Sequence, residues 1–208
     1  MRVLVIGGHT RSVGKTSLVV ELIRAFPQAA WTAVKITQYG HGVCSVHGEP
    51  CNCTPRDHDS ALDEEHERSE RTDTSRFLVA GAARSLWLRT PQGELAGGMP
   101  LLRQALAGAE NVILESNAVL QLLRPELYLV VLDASQADFK ATALRYLDRA
   151  DAFVLRSPLA QAAWPEVSES LLQRRPAFHQ ALGAPLPAEI LEFVSQNFWK
   201  SRQQTLPV

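Results

Sequence analysis

The sequence predicts an α/β protein, a three-layer sandwich whose mostly parallel sheet is covered by helices on both faces. Short unbroken apolar runs alternate with stretches whose apolar residues recur at helical spacing, and strands buried on both faces read in that continuous way. The first such run leads into a glycine-bearing turn and then a helix. With 208 residues, against about 150 for an average domain, the chain is read as one large domain, 1–208. Its 46% hydrophobic and 21% charged residues exclude disorder, collagen and coiled coil.

In order, residues 2–6 form a β-branched strand, and 16–26 a helix that Pro27 stops. Residues 31–36 make a second buried strand. From 37 to 72 the chain turns polar, rich first in Cys and His and then in acids and Arg, and is read as an insertion. Periodicity resumes with a helix at 74–83, a strand at 85–88, a helix at 99–107 and a strand at 111–115. Strands at 127–133 and 152–155 flank a helical stretch at 141–149. Further helices are expected at 166–173 and 188–198, with Pro185 and Pro187 marking the turn before the last.

Lys and Arg total 21 against 22 Asp and Glu, a formal charge of -1. The chain therefore lacks the basic excess by which proteins hold polyanions, and nucleic acid is not expected as a partner. No apolar run reaches the roughly 20 residues needed to cross a bilayer, and MRVLVIGG at the start lacks the basic segment and cleavage site of a signal peptide. The expectation is a cytoplasmic protein without membrane partners. Its three cysteines, Cys44, Cys51 and Cys53, lie within one short stretch, which in a reducing compartment favours metal or reactive-thiol chemistry over a bridge.

The most specific signal is Gly8-His9-Thr10-Arg11-Ser12-Val13-Gly14-Lys15-Thr16-Ser17, set between the first strand and the first helix. In loops of this kind backbone N–H groups and the helix N-terminus cradle phosphates, a lysine reaches the β and γ phosphates, and a Thr hydroxyl binds Mg²⁺. Gly8, Val13, Gly14, Lys15, Thr16 and Ser17 are the candidate nucleotide-binding residues, with Lys15 as the charge and Thr16 as the Mg²⁺ ligand. The spacing departs from G-x4-G-K-[ST], because His9 stands where that pattern has glycine.

The long spacing and the Val-Gly-Lys-Thr ending resemble the phosphate loops of dethiobiotin synthetase and cobyrinic acid diamide synthetase, members of the SIMIBI class of P-loop NTPases. Val34-Lys35-Ile36-Thr37 is similar to the strand ending in Lys-His-Thr of the molybdopterin-guanine dinucleotide biosynthesis adaptor, a GTP-binding member of the class. Asp73-Thr74-Ser75-Arg76 before Ala80-Gly81-Ala82 resembles that adaptor's Asp-Ser segment. Ile113-Leu114-Glu115-Ser116-Asn117 looks like the Glu-Ser-Gly segment of the adaptor and of the nickel-insertion GTPases. The stretches 125–133 and 150–155 are also similar to those GTPases. The resemblance implies a P-loop NTPase fold, ATP or GTP with Mg²⁺ as ligands, and a homodimer across the nucleotide site.

A carboxylate at the C-terminal end of a buried strand can hold Mg²⁺ directly or through water. Glu115 is the first candidate, and Asp133 has the same local context. The resemblance implies that Asp73 is a further metal or water-positioning carboxylate, although it is equally placed to cap the helix that follows. It also implies a charge-stabilising, catalytic role for Lys35 beside Lys15 and Glu115. Where GTP-specific relatives carry Asn-Lys-x-Asp, this chain has Arg156-Ser157-Pro158-Leu159, so base choice between ATP and GTP stays open.

Within the insertion, Cys44, Cys51 and Cys53 with one of His47 or His58 supply the four soft ligands that a tetrahedral Zn²⁺ needs. A three-cysteine iron–sulfur cluster with an outside ligand is the alternative. The eight carboxylates from Asp57 to Asp73 are read as a solvated helix face partnered by Arg68 and Arg71. The leading expectation is an Mg²⁺-dependent nucleoside triphosphatase with a zinc-stapled insertion, in cofactor biosynthesis by analogy. Its alternatives are an ATP-dependent ligase or kinase acting on a small molecule, and a nucleotide-regulated metallochaperone or switch with a protein partner.

Overall fold

The computed structural model describes residues 1–40, 60–159 and 164–200. Strands β1 (Arg2–Gly8), β2 (Thr32–Tyr39), β3 (Ala61–Glu64), β4 (Arg84–Pro91), β5 (Asn111–Glu115), β6 (Leu127–Leu132), β7 (Ala152–Leu155) and β8 (Ala177–His179) form one sheet. Their order is β3-β4-β2-β5-β1-β6-β7-β8. Every neighbouring pair is parallel except β3 with β4.

Alternation along β1 shows why both faces are covered. Val3 and Val5 point into one apolar layer, packed with Leu95, Met99 and Leu102 of α3 (Leu95–Ala105). Leu4 and Ile6 point into the other. There they meet Leu18 and Leu22 of α1 (Lys15–Ala25), Phe77 of α2 (Asp73–Val79), and Ile190, Val194 and Phe198 of α6 (Ala188–Phe198). The remaining short helices are α4 (Ala141–Arg145) and α5 (Glu169–Gln173). The central strands β1, β5 and β6 are buried almost throughout, as a parallel sheet between two helical layers requires.

Several sequence expectations are corrected. The polar insertion begins later than residue 37, because β2 runs on to Tyr39 beside β4, which itself extends to Pro91. The acidic stretch is not a helix face: residues 61–64 form the edge strand β3, antiparallel to β4. Arg84 holds Glu64 at 2.7 Å and Arg89 pairs with Asp63. Short charged edge strands of this kind resist further strand addition. Of the expected arginine partners, Arg71 does reach Glu67 at 3.3 Å, whereas Arg68 donates to the Leu78 carbonyl. Strand β8 had no sequence signal, being three residues long with an exposed pattern. Helix α3 begins at Leu95, four residues before the expected start, and Gly98 lets it approach β4: a Cβ there would fall 2.7 Å from the Thr90 methyl.

The cysteine-rich stretch lies outside the described residues, and with it Cys44, His47, Cys51, Cys53 and His58. Among the described residues no group of His, Cys, Asp and Glu forms a metal site, and no helix is long and apolar enough to cross a membrane.

Candidate functional site

All the strand ends that matter lie at one edge of the sheet, where open parallel sheets bind ligands. Gly8 closes β1, Glu115 closes β5, and the chain from Gly8 to Gly14 arches over them into α1. Two left-handed residues, Ser12 at φ 55° and Gly14 at φ 92°, turn this arch. Such turns point successive N–H groups into one concavity. At Gly8 any side chain is excluded, since a Cβ would lie 2.6 Å from Val13 and 2.8 Å from Lys15. Val13 itself is buried in the α1-side core and anchors the arch, and Ser17 faces the cleft.

Lys15 folds back to donate to the Thr10 carbonyl at 2.9 Å. Burial pulls its ammonium down to about 8, opposed by Glu115 and Asp73 and reinforced by Lys140 and Lys35. Next to it, the Thr16 hydroxyl donates to Glu115 Oε2 at 2.8 Å. The other Glu115 oxygen accepts from Lys35 Nζ at 2.5 Å, and the same ammonium reaches Asp73 at 2.8 Å. Burial works to neutralise Lys35, but the two carboxylates hold its pKa above the ordinary lysine value. The helix cap is Thr72, whose hydroxyl accepts from the Ser75 N–H. Asp73 is therefore the first helical residue and keeps its carboxylate for Lys35. Thr16, Glu115 and Asp73 together present hard oxygen donors, the chemistry that suits Mg²⁺.

Asp133, the rival carboxylate, is used otherwise. It accepts from the Ser135 hydroxyl and the Ser157 hydroxyl, each at 2.7 Å, and from Gln136 at 3.1 Å. Burial alone would raise its pKa, yet these hydrogen bonds hold it at about 2. It fastens the loop after β6 to the end of β7 and is not part of the Thr16 cluster.

Three further devices support the loop and were not read as such in the sequence. The Asn117 side chain clamps Gly8, accepting from its N–H at 2.9 Å and donating to its carbonyl at 2.8 Å. Arg156 donates to the Gly14 carbonyl at 2.9 Å and to Gln180 Oε1 at 2.7 Å, and Gln180 in turn donates to Glu21 of α1 at 2.5 Å. Finally, the loop after β6 is tied to the arch. Asp138 accepts from the Thr10 hydroxyl at 2.5 Å, and the Lys140 N–H donates to the His9 carbonyl at 2.8 Å. His9, where shorter loops have glycine, is buried with its ring 5.3 Å from Phe139 and 4.9 Å from Trp164. Burial lowers its pKa, so it packs as a neutral ring. A polar residue on the loop between a strand end and the next helix was the signal available for Asp138 and Lys140.

The resulting cleft encloses about 1160 Å³. The cations Arg11, Lys15, Lys35, Arg76 and Lys140 line it against the carboxylates Asp73 and Glu115. In a chain of net charge -1 this local excess marks a site for an anion. The exposed Leu182 lines it beside Gly14, and Thr37, Gln38, Tyr39 and Gln92 add polar, uncharged lining.

No protein-family model matches the chain, and no curated protein matches it. Two solved structures are similar in fold. LpxK from Aquifex aeolicus, determined in complex with ATP, is 18% identical with a TM-score of 0.47, the match covering 86% of this chain and 53% of LpxK. HypB from Helicobacter pylori, determined in complex with nickel, is 16% identical with a TM-score of 0.46 over 97% of this chain and 90% of HypB. This chain thus spans about half the length of LpxK. By its own geometry, the chain runs from a strand through a glycine-bearing arch into a helix at one edge of a mostly parallel sheet.

Proposed function

We propose that this protein binds a nucleoside triphosphate, ATP or GTP, with Mg²⁺, and hydrolyses or transfers the terminal phosphate. The observation that carries the reading is the convergence of Lys15, Thr16, Glu115, Asp73 and Lys35 on one cleft at the N-terminus of α1. Thr16 and the two carboxylates would hold the metal, which neutralises phosphate charge when bound. Lys15 meets the β and γ phosphates, and the first N–H groups of α1 supply the positive end of the helix dipole. Lys35, held charged by its two acids, sits where charge develops on the transferred group. Catalysis of this kind rests on positioning and charge.

The polar, uncharged lining at Thr37, Gln38, Tyr39 and Gln92 favours a second form of the reading, transfer to a small acceptor. Phosphate release that rises only when an acceptor is supplied would distinguish transfer from hydrolysis. A homodimer across this cleft in the cytoplasm, a zinc ion on the cysteine-rich segment and a place in cofactor biosynthesis complete the proposal. The zinc rests on ligand chemistry in the sequence, and elemental analysis with Cys51→Ser and Cys53→Ser tests it.

The deciding experiment is calorimetric titration with a non-hydrolysable Mg²⁺–triphosphate analogue. Wild type binds it, and Lys15→Ala weakens binding roughly 100-fold or more with the fold intact by circular dichroism. A folded wild type that binds neither ATP nor GTP analogues overturns the reading.

A further inference from the structure

Lys140 has no role in the proposed chemistry, although it faces the same cleft from the opposite wall. It immediately precedes α4, and its position is held by main chain alone. Its N–H donates to the His9 carbonyl, while its own carbonyl accepts from the Ala143 and Leu144 N–H groups. The loop that carries it is pinned to the arch by Thr10–Asp138. The backbone of Lys140 is therefore fixed beside the arch by bonds that its side chain does not make, and the side chain lines the cleft.

The side chain has no acid of its own. Glu115 and Asp73 are both taken by Lys35, and Asp73 also faces Arg76 at 3.7 Å. No ion pair among the described residues includes Lys140. Half-burial lowers its pKa, as do Arg11 and Lys35, against the pull of Asp138 and Glu115. It is also one of the charges that depress Lys15. Lys140 thus lines the same cleft as Lys15, Lys35 and Glu115. Five cations here face only two carboxylates, and the surplus of like charge costs free energy unless an anion completes the set.

We infer that Lys140 is a specific ligand of the terminal phosphate, reaching it from the β6–α4 wall opposite Lys15. The inference rests on the triphosphate reading above and extends it: this residue makes the site distinguish nucleoside triphosphate from diphosphate. The diphosphate, seated on the arch by Lys15 and the N–H groups of α1, leaves Lys140 without a partner. The γ-phosphate supplies one.

The test compares a non-hydrolysable Mg²⁺–triphosphate with the Mg²⁺–diphosphate, titrated into the full chain as wild type, Lys140→Met and Lys140→Arg. Losing a charge-assisted hydrogen bond to phosphate is expected to weaken triphosphate binding roughly 10- to 100-fold in Lys140→Met while changing diphosphate affinity less than about twofold. Lys140→Arg restores most of the triphosphate affinity, and melting temperatures stay together because the fixing bonds are main-chain. Equal losses for both nucleotides mean that Lys140 only shapes the loop, and overturn the inference, as does an unchanged triphosphate affinity in Lys140→Met. Wild type that binds neither nucleotide overturns the triphosphate reading and this inference with it, whereas binding by wild type with no Lys140 effect removes the inference alone.

Discussion

The two walls of the cleft use the same residue types in opposite ways. On the β5–β2 side, Glu115 and Asp73 share one ammonium, Lys35, which bridges them at 2.5 and 2.8 Å. On the β6–β7 side, Asp133 directly follows the parallel strand β6 as Glu115 closes β5, yet it is satisfied by two serine hydroxyls and a glutamine amide. On the same side, Lys140 has no ion pair among the described residues. What a carboxylate at a strand end does is decided by its donors: an ammonium and a threonine hydroxyl keep Glu115 on the cleft, whereas two serine hydroxyls and an amide make Asp133 a loop fastening.

The comparison breaks most visibly at Lys35. Lys35→Met leaves Glu115, 3% exposed, beside Asp73 with no cation between them. Breaking a buried ion pair by removing one partner costs about 3–5 kcal/mol, and the 39% exposure of Asp73 reduces this to about 2–3 kcal/mol. For a chain of this size that is a fall of roughly 5–10 °C in melting temperature. Because the freed acids are hard oxygen donors, millimolar Mg²⁺ should raise the melting temperature of the variant more than that of wild type. Equal melting curves with and without Mg²⁺ would show that the pair is not a metal site in waiting.

Which parts of these walls were legible in the sequence follows from how local each signal was. The arch could be read because Gly14, Lys15 and Thr16 are consecutive and flanked by a strand and a helix. Glu115 could be read because a charge closing a buried apolar run requires a reason. The partner of Lys35 could not, since Asp73 reaches it only through the packing of α2 against β2, and the Thr72 cap that frees it shows only in the structure. Strand β3 escaped because Asp63 and Glu64 read as solvated, while their arginine partners on β4 lie 26 and 20 residues away. Asn117 and Arg156 act on the backbone of Gly8 and Gly14 across more than 100 residues of chain, and Gln180 ties Arg156 to Glu21. No spacing rule reaches that far.

Arg156 sharpens the comparison from the end of β7. It occupies the place where a guanine-reading segment was sought, and its guanidinium is committed to the Gly14 carbonyl and Gln180. Arg156→Met removes a charged hydrogen bond from the turn that Gly14 makes at φ 92°. Triphosphate affinity is expected to fall about tenfold through a loosened arch. The ratio of ATP to GTP affinity should stay the same, and a selective loss of one base in parallel titrations would instead assign Arg156 to base recognition.

The smallest effect belongs to Asp133, and its sign follows from the direction of its pKa. Hydrogen bonds hold the folded carboxyl at about 2 against an ordinary value of 3.8. The native state therefore favours the ionised form, and the stabilisation is present above the unfolded value and lost as pH falls through the folded one. Asp133→Asn mimics the neutral acid, so it should lower stability by about 1 kcal/mol at neutral pH, or roughly 2–4 °C. Urea unfolding of both proteins as a function of pH reads this directly. The difference should be constant down to about pH 5, roughly halved near pH 3 and small near pH 2. Nucleotide affinity should hardly change at neutral pH, because Asp133 fastens a loop and touches neither Thr16 nor Lys15. If Asp133→Asn instead abolished Mg²⁺-dependent nucleotide binding while leaving urea stability alone, the second wall would hold the metal and the contrast with Glu115 would be reversed.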